Sequence, residues 1–279
     1  MARMITSTDR RAGWRLALYL CLALIASGGL TACVLPPSTV ATESALPAPD
    51  PVDANGWEQL APGLERRLFS PPGGLLAQML AVRVDPAYFE FRAHYQPGEP
   101  LRLQQWQAAL PGAAVIVNAN FFDPEQRVLG LLVSDGVAHG VPYTGRGGWF
   151  AVQNGVPMVR STTAQPYNGE PLEQAVQAFP MLVQDGQAVY ASASGDRVTR
   201  RTAIGQDDQG RIVLLVTPAV GLTLADLSAF LAESDMGLVN AFNLDGGGST
   251  MLGIDSGGES YRLNSRDPVP AVLAVYPRP

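Results

Sequence analysis

Asp135-Gly136, Asn154-Gly155 and Asp185-Gly186 each stand between two apolar runs, and this repeated pattern confines the chain to a fold built from short strands. Both residues of such a pair accept the positive φ of a two-residue hairpin turn, which a helix would not survive. Gln209-Gly210 punctuates the chain in the same way. Strands are predicted over Val128 to Val133, Trp149 to Val152, Met181 to Gln184, Arg211 to Thr217, Leu238 to Leu244, Thr250 to Ile254 and Ala271 to Tyr276. Ala113 to Val117 is continuously apolar, so a strand buried on both faces is expected there. Leu76, Leu80, Val82 and Val84 precede Asp85-Pro86, and Phe89, Phe91 and Ala93 follow it; the two runs read as an antiparallel hairpin. Helix signals are few. Thr223 can cap Leu224 to Glu233, with Asp226 at the capping-box position and Leu224, Leu227, Phe230 and Leu231 on one face. A second helix is predicted over Leu101 to Leu110 and a third over Leu172 to Ala178. Many strands without βαβ alternation imply an α+β domain, a large, mostly antiparallel or mixed sheet with few helices packed against it.

The N-terminus carries a different signal. Arg3, Arg10, Arg11 and Arg15 precede an apolar stretch, Leu16 to Ile25, that is too short for a good membrane span. Leu30-Thr31-Ala32-Cys33 then resembles the lipobox of bacterial lipoproteins, which predicts lipidation of Cys33; the alternative is an ordinary secretory signal with Cys33 an incidental thiol. Val34, rather than Asp, follows the cysteine, resembling a signal for sorting to the outer membrane, facing the periplasm. Residues 1–33 are thus read as a lipoprotein signal, 34–55 as a tether rich in Pro and Ala, and 56–279 as one domain. Every basic residue is arginine, and beyond residue 33 there are 15 of them against 24 acidic residues. An acidic balance of that size argues against a nucleic-acid partner.

Three polar clusters stand at the ends of apolar runs. Asn118-Ala119-Asn120-Phe121-Phe122-Asp123 follows the buried run; its asparagines need partners, supplied by a ligand or by loop backbone. In Thr199-Arg200-Arg201-Thr202-Ala203-Ile204-Gly205, alternation sends the two arginines to opposite faces, one to a site and one to solvent. Their guanidinium forks suit phosphate or carboxylate, or a structural salt bridge. Asn243-Leu244-Asp245-Gly246-Gly247-Gly248-Ser249-Thr250 sets a carboxylate before a bare-backbone loop, which makes either a tight turn or a ligand loop. Taken together, amide, guanidinium, carboxylate and hydroxyl suit an anionic, hydroxyl-rich substrate such as a sugar phosphate. The chain has no lysine for a Walker P-loop and no Gly-x-Ser-x-Gly elbow at Ser249. His94, expected in a strand, and His139, expected in a loop, lack ligand-spaced partners. Asp123, Asp245 and Asp255 offer oxygen ligands for a divalent cation, but their spacing demands none. No metal site and no cofactor is predicted.

These three clusters, in this order, and a closing strand within Arg266 to Val275 resemble the phosphodiester glycosidase family. The resemblance spans roughly Leu75 to Tyr276, with Ala119 and Asn120 where the family carries two glycines. It implies hydrolysis of a sugar-1-phosphodiester at the anomeric C–O bond, with a glycosyl phosphodiester or surface polysaccharide as substrate. Asp245, Arg201 and Asn118 are the implied catalytic residues. Asn120, Phe121, Thr202, Asn243, Gly246, Gly247, Gly248, Ser249 and Thr250 are the implied substrate contacts, with the glycine loop lending backbone N–H groups. Two other readings stay open: a glycan-binding or exopolysaccharide-assembly lipoprotein without turnover, and a hydrolase acting on a different glycosidic or phosphate bond.

Overall fold

The computed structural model describes residues 52, 53, 55–72 and 77–279. The predicted signal, Cys33, nearly all of the tether and Leu76 lie outside the described residues. Antiparallel strands dominate and two helices accompany them, so the α+β, sheet-dominated character holds. The strands are shared among three sheets. The first, eight-stranded, runs in the order β1 (Glu58–Ala61), β2 (Leu64–Phe69), β3 (Met79–Val84), β14 (Ile212–Val216), β13 (Thr202–Asp207), β15 (Leu238–Asn243), β11 (Met181–Gln184), β12 (Gln187–Ala188). The second contains β7 (Val137–His139), β6 (Leu132–Ser134), β10 (Gln174–Ala178), β8 (Gly148–Gln153) and β9 (Val156–Ser161). The third contains β17 (Glu259–Leu263), β16 (Leu252–Ser256), β5 (Val115–Asn118), β18 (Ala271–Pro277) and β4 (Phe89–Tyr95).

Alternation along the strands explains how three sheets share one core. Leu80, Val82 and Val84 of β3 and Ile212, Leu214 and Val216 of β14 meet Phe91, Val117, Leu273 and Val275 of the third sheet and Phe150 and Val176 of the second. The intervening residues Met79, Ala81, Val213 and Leu215 face the other way, onto Leu227 and Leu231 of helix α2 (Leu224–Glu233). Ile116, Val272 and Ala274 likewise turn outward to Leu103 and Trp106 of helix α1 (Leu103–Ala109). Both faces of β5, β14 and β18 are therefore covered, which is why their sequences are continuously apolar. The second sheet approaches the first closely at Gly148, where a Cβ would lie 2.7 Å from the Phe242 side chain.

The turn and helix expectations fare well. Asp135, Asn154 and Asp185 take φ of 47°, 53° and 51°, and the glycine after each also has positive φ, as hairpin turns require. Thr223 Oγ1 accepts the Asp226 amide at 3.0 Å and starts α2 where expected. Four expectations are corrected. Leu172 to Ala178 is not a helix: Gln174–Ala178 is strand β10, all five residues buried between β6 and β8. Sheet partners on both edges outweigh local helix propensity there. The runs around Asp85-Pro86 do not form a hairpin, because β3 pairs with β2 and β14 while β4 pairs with β18. The predicted strand from Val128 shortens to Leu132–Ser134, since Gln126 and Gly130 take positive φ and break the ladder. His139 ends strand β7 instead of lying in a loop; its ring is 5.1 Å from that of Tyr95.

Candidate functional site

The three polar clusters converge because their strands are neighbours. β15 pairs with β13, so Asn243 lies opposite Ala203, and the chain then turns into the Asp245–Gly248 loop. Asn118, the last residue of β5, reaches across from the third sheet. Its Nδ2 donates to the Asp245 carbonyl at 2.6 Å, and its Oδ1 accepts from Thr202 Oγ1 at 2.9 Å and from the Met251 amide at 3.1 Å. Asn118 therefore fixes the loop by spending its whole side chain inside the protein.

The loop is held at almost every step. The Asp245 amide donates to Ala119 O, the Gly246 amide to Asp245 Oδ1 at 2.8 Å, and the Gly247 amide to Arg200 O at 2.7 Å. The Gly246 and Gly247 donors are thus committed internally, which differs from the expectation that the glycines present them to a ligand. The glycines answer a packing demand instead. A Cβ on Gly246 would lie 2.9 Å from Arg200 O, and one on Gly248 would collide with the Asp267 carboxylate.

The reading of the two arginines is corrected only in part: Arg201 reaches a cavity and pairs with Asp196, but Arg200 does not meet solvent. Neither meets solvent as an unengaged side chain. Arg200 is buried and donates to the carbonyls of Thr250 and Asn264. Arg201 donates from Nε to Leu222 O at 2.9 Å and from Nη2 to Arg197 O at 2.6 Å and Asp196 Oδ1 at 3.2 Å. Nη1 takes part in none of these bonds. Asp196 in turn accepts the Leu224 and Ala225 amides at 2.8 and 3.1 Å, capping the N-terminus of α2.

A cavity of about 450 Å³ opens beside this loop. Phe121, Arg201, Asn243, Asp245, Gly246 and Gly247 line it, and so do Phe179, Tyr190, Asp196 and Arg197, which sequence reasoning missed. Asn118, Asn120, Thr202, Gly248, Ser249 and Thr250 do not. Asn120 donates instead to Leu129 O, Leu131 O and Gln177 O. Thr202 and Thr250 are fully buried. Phe121 and Phe179 form an aromatic wall, their ring centroids 4.8 Å apart. Asn243 is 4% exposed, donates from Nδ2 to Phe179 O, and leaves Oδ1 without a partner among the described residues. A buried acceptor of this kind calls for a donor that the described residues do not supply.

Asp245 is the most perturbed group here. Burial pushes its carboxyl up to about 6, against the opposing pull of the Ser249 hydroxyl and the Gly246 amide; the Asp267 charge adds to the rise. A carboxyl raised in this way inside a cavity is a candidate functional group. A second cavity of about 450 Å³, bounded by Glu90, Asp135, Glu173 and Arg278, shares no lining residue with the first. Its carboxylates are already engaged, Asp135 by Gln174 and Glu173 by the Gly155 amide. Among the described residues no three His, Cys, Asp or Glu side chains gather as a metal cluster.

Fold and site together define a sheet-built domain whose strand ends surround a carboxylate and an aromatic wall. The chain belongs to the phosphodiester glycosidase family, whose model matches residues 111–276. A stretch of 68 residues is 40% identical to the bovine N-acetylglucosamine-1-phosphodiester alpha-N-acetylglucosaminidase, covering 23% of this chain and only 12% of the bovine protein. The fold resembles the catalytic domain of the zebrafish enzyme of the same name, solved auto-inhibited by its pro-peptide, with a TM-score of 0.60 at 20% identity, covering 83% of this chain and 87% of that one. It also resembles a hypothetical protein from Synechocystis, with a TM-score of 0.53 at 16% identity over 77% of this chain and 62% of that one. A putative exported protein from Burkholderia pseudomallei K96243 matches with a TM-score of 0.52 at 14% identity, covering 72% and 74%.

Proposed function

We propose that this protein hydrolyses a glycosyl-1-phosphodiester at the anomeric C–O bond. Water adds to the anomeric carbon and gives up a proton to solvent, the bonding pair leaves with the phosphate oxygen, and the products are a free sugar and a phosphomonoester. The observation that carries this reading is Asp245, a carboxylate raised to about 6 in the cavity beside the aromatic wall. Near neutral pH its ionised form supplies negative charge to an oxocarbenium-like anomeric carbon. A phosphomonoester is a good leaving group, so a strong general acid opposite Asp245 is not required. Asn243 Oδ1 accepts a sugar hydroxyl, and Phe121 and Phe179 give the ring an apolar face to pack against. The bovine and zebrafish relatives act, by name, on N-acetylglucosamine-1-phosphodiesters, which makes that sugar the first to try.

A panel of glycosyl-1-phosphodiesters, with products identified by mass, tests the proposal. Free sugar together with phosphomonoester is the expected pair. Binding of these compounds without any product would instead favour a glycan-binding role, and inorganic phosphate released from a simple phosphomonoester, with no free sugar from the diesters, a different hydrolase.

The reading includes a place of action. Lipid on Cys33 anchors the protein in the bacterial envelope, where surface polysaccharide and related glycosyl phosphates are the available substrates. Cys33→Ser should move the protein from the membrane to the soluble fraction and remove the lipid mass; an unchanged mass and distribution would exclude the anchor.

A further inference from the structure

We propose that Arg197, and not Arg201, is the residue that recognises the substrate's phosphate; the inference rests on the phosphodiester reading above and names the residue that enforces it. Arg201 lies in the cavity wall, but its charge is already answered. It is ion-paired with Asp196 at 3.2 Å, both side chains almost wholly buried, and two backbone carbonyls accept its Nε and second Nη2 bonds, which leaves only Nη1 unengaged. Arg200 is turned away into backbone carbonyls. Arg197 lines the same cavity, is exposed, and has no carboxylate partner among the described residues.

Its position is also built. Its carbonyl accepts Arg201 Nη2 at 2.6 Å, while the preceding Asp196 is fastened to the first two amides of α2. The backbone at 196–197 is thereby pinned on both sides, and the Arg197 guanidinium is left to the cavity. A guanidinium matches two phosphate oxygens at once.

The charge balance of the cavity requires such a residue. Its two acidic lining residues are Asp196, which Arg201 and the helix amides offset, and Asp245. An ionised Asp245 repels a phosphodiester monoanion, so a cation must hold the phosphate where the carboxylate faces only the sugar. Arg146, whose guanidinium lies 4.2 Å from the Phe179 ring centroid, adds positive charge beside the aromatic wall. Arg201 then acts as a positioning residue for the segment that carries Arg197.

The test uses the full chain and two substrates with one sugar, a phosphodiester and an uncharged aryl glycoside. Arg197→Gln should raise KM for the phosphodiester roughly ten- to hundredfold, the loss expected for a charge-assisted contact. It should also lower kcat, because charge grows on the departing phosphate oxygen, and leave the melting temperature and any hydrolysis of the uncharged glycoside unchanged. Arg197→Lys should recover part of the affinity, and the wild-type KM for the phosphodiester should rise with salt far more than that of Arg197→Gln. Arg262→Gln, on an exposed strand remote from the cavity, serves as the control and should change nothing. An unchanged KM in Arg197→Gln overturns the inference while the proposed reaction stands. If the wild type turns over no phosphodiester, the reaction fails, and calorimetric titration with the sugar-1-phosphate decides the inference separately. Weaker binding to Arg197→Gln supports it, and equal binding ends it.

Discussion

Asp245→Asn should abolish turnover and at the same time raise the melting temperature at pH 7. The loss of rate is expected to be about 10³-fold or more, the scale on which a preorganised charge beside a charged transition state acts. The gain in stability follows from linkage. The carboxyl is raised from 3.8 to about 6 on folding, so the folded protein binds this proton more tightly than the unfolded chain. Well below pH 3.8 both states are protonated and no penalty exists. The penalty grows as pH rises from about 4 through 6 and is complete above that, reaching at most about 3 kcal/mol. Asn keeps an oxygen for the Gly246 amide and the Ser249 hydroxyl while losing the charge. A domain of this size gains roughly 2–4 °C per kcal/mol, so Asp245→Asn should melt several degrees higher at pH 7 and match the wild type at about pH 3. Wild-type kcat/KM should fall on the acid side with a midpoint near 6, well above that of an ordinary aspartate. Full activity in Asp245→Asn, or equal melting at both pH values, would remove Asp245 from the centre of the mechanism. A residue that costs stability and confers rate is what an active site predicts and a structural turn does not.

Much of the local structure was legible because its causes are local. The Asp-Gly and Asn-Gly turns declare themselves by φ, and Thr223 with Asp226 declares the start of α2. What the chain did not reveal were choices between distant partners. Nothing near Asp85-Pro86 says that β3 and β4 enter different sheets, since both strands alternate correctly for a hairpin. Nothing within Leu172 to Ala178 shows that its glutamines sit in a sheet; Gln177 is buried yet satisfied, its Oε1 accepting the Leu131 and Tyr143 amides from two other segments.

The site divides along the same line. Asp245 and the glycine loop were legible because a carboxylate followed by Gly-Gly-Gly at a strand end is rare chemistry in a compact stretch. The destinations of the hydrogen bonds were not. Arg200, Arg201, Asn118 and Asn120 lie in the expected neighbourhood, yet the side-chain donors of Asn118 and Asn120 and most of those of the arginines go to the protein's own carbonyls and carboxylates. Arg197 carries no sequence mark at all. It is placed by the cap that Asp196 makes on a helix 28 residues further along.

Asn118→Ala should therefore behave as a loss of scaffold. Asn118 is 1% exposed and joins three segments, with the Asp245 carbonyl, the Thr202 hydroxyl and the Met251 amide all satisfied by its one amide group. Truncation leaves three buried polar atoms to find new partners in a site too tight to admit them. At about 1–3 kcal/mol for each such group, and with partial relaxation, a cost of about 3–5 kcal/mol is expected. That corresponds to roughly 6–20 °C in melting temperature. Turnover should fall as well, because the Asp245 carbonyl is one of the anchors that aim the carboxylate. An asparagine that only touched substrate would give the opposite pattern, a raised KM with melting unchanged. Thermal unfolding and steady-state kinetics on the one variant separate the two roles, and unchanged melting would return Asn118 to the substrate side. Thr202→Val provides the internal check. It removes one of the three bonds at constant shape, so it should cost no more than a third of the Asn118→Ala effect and leave kcat nearly intact.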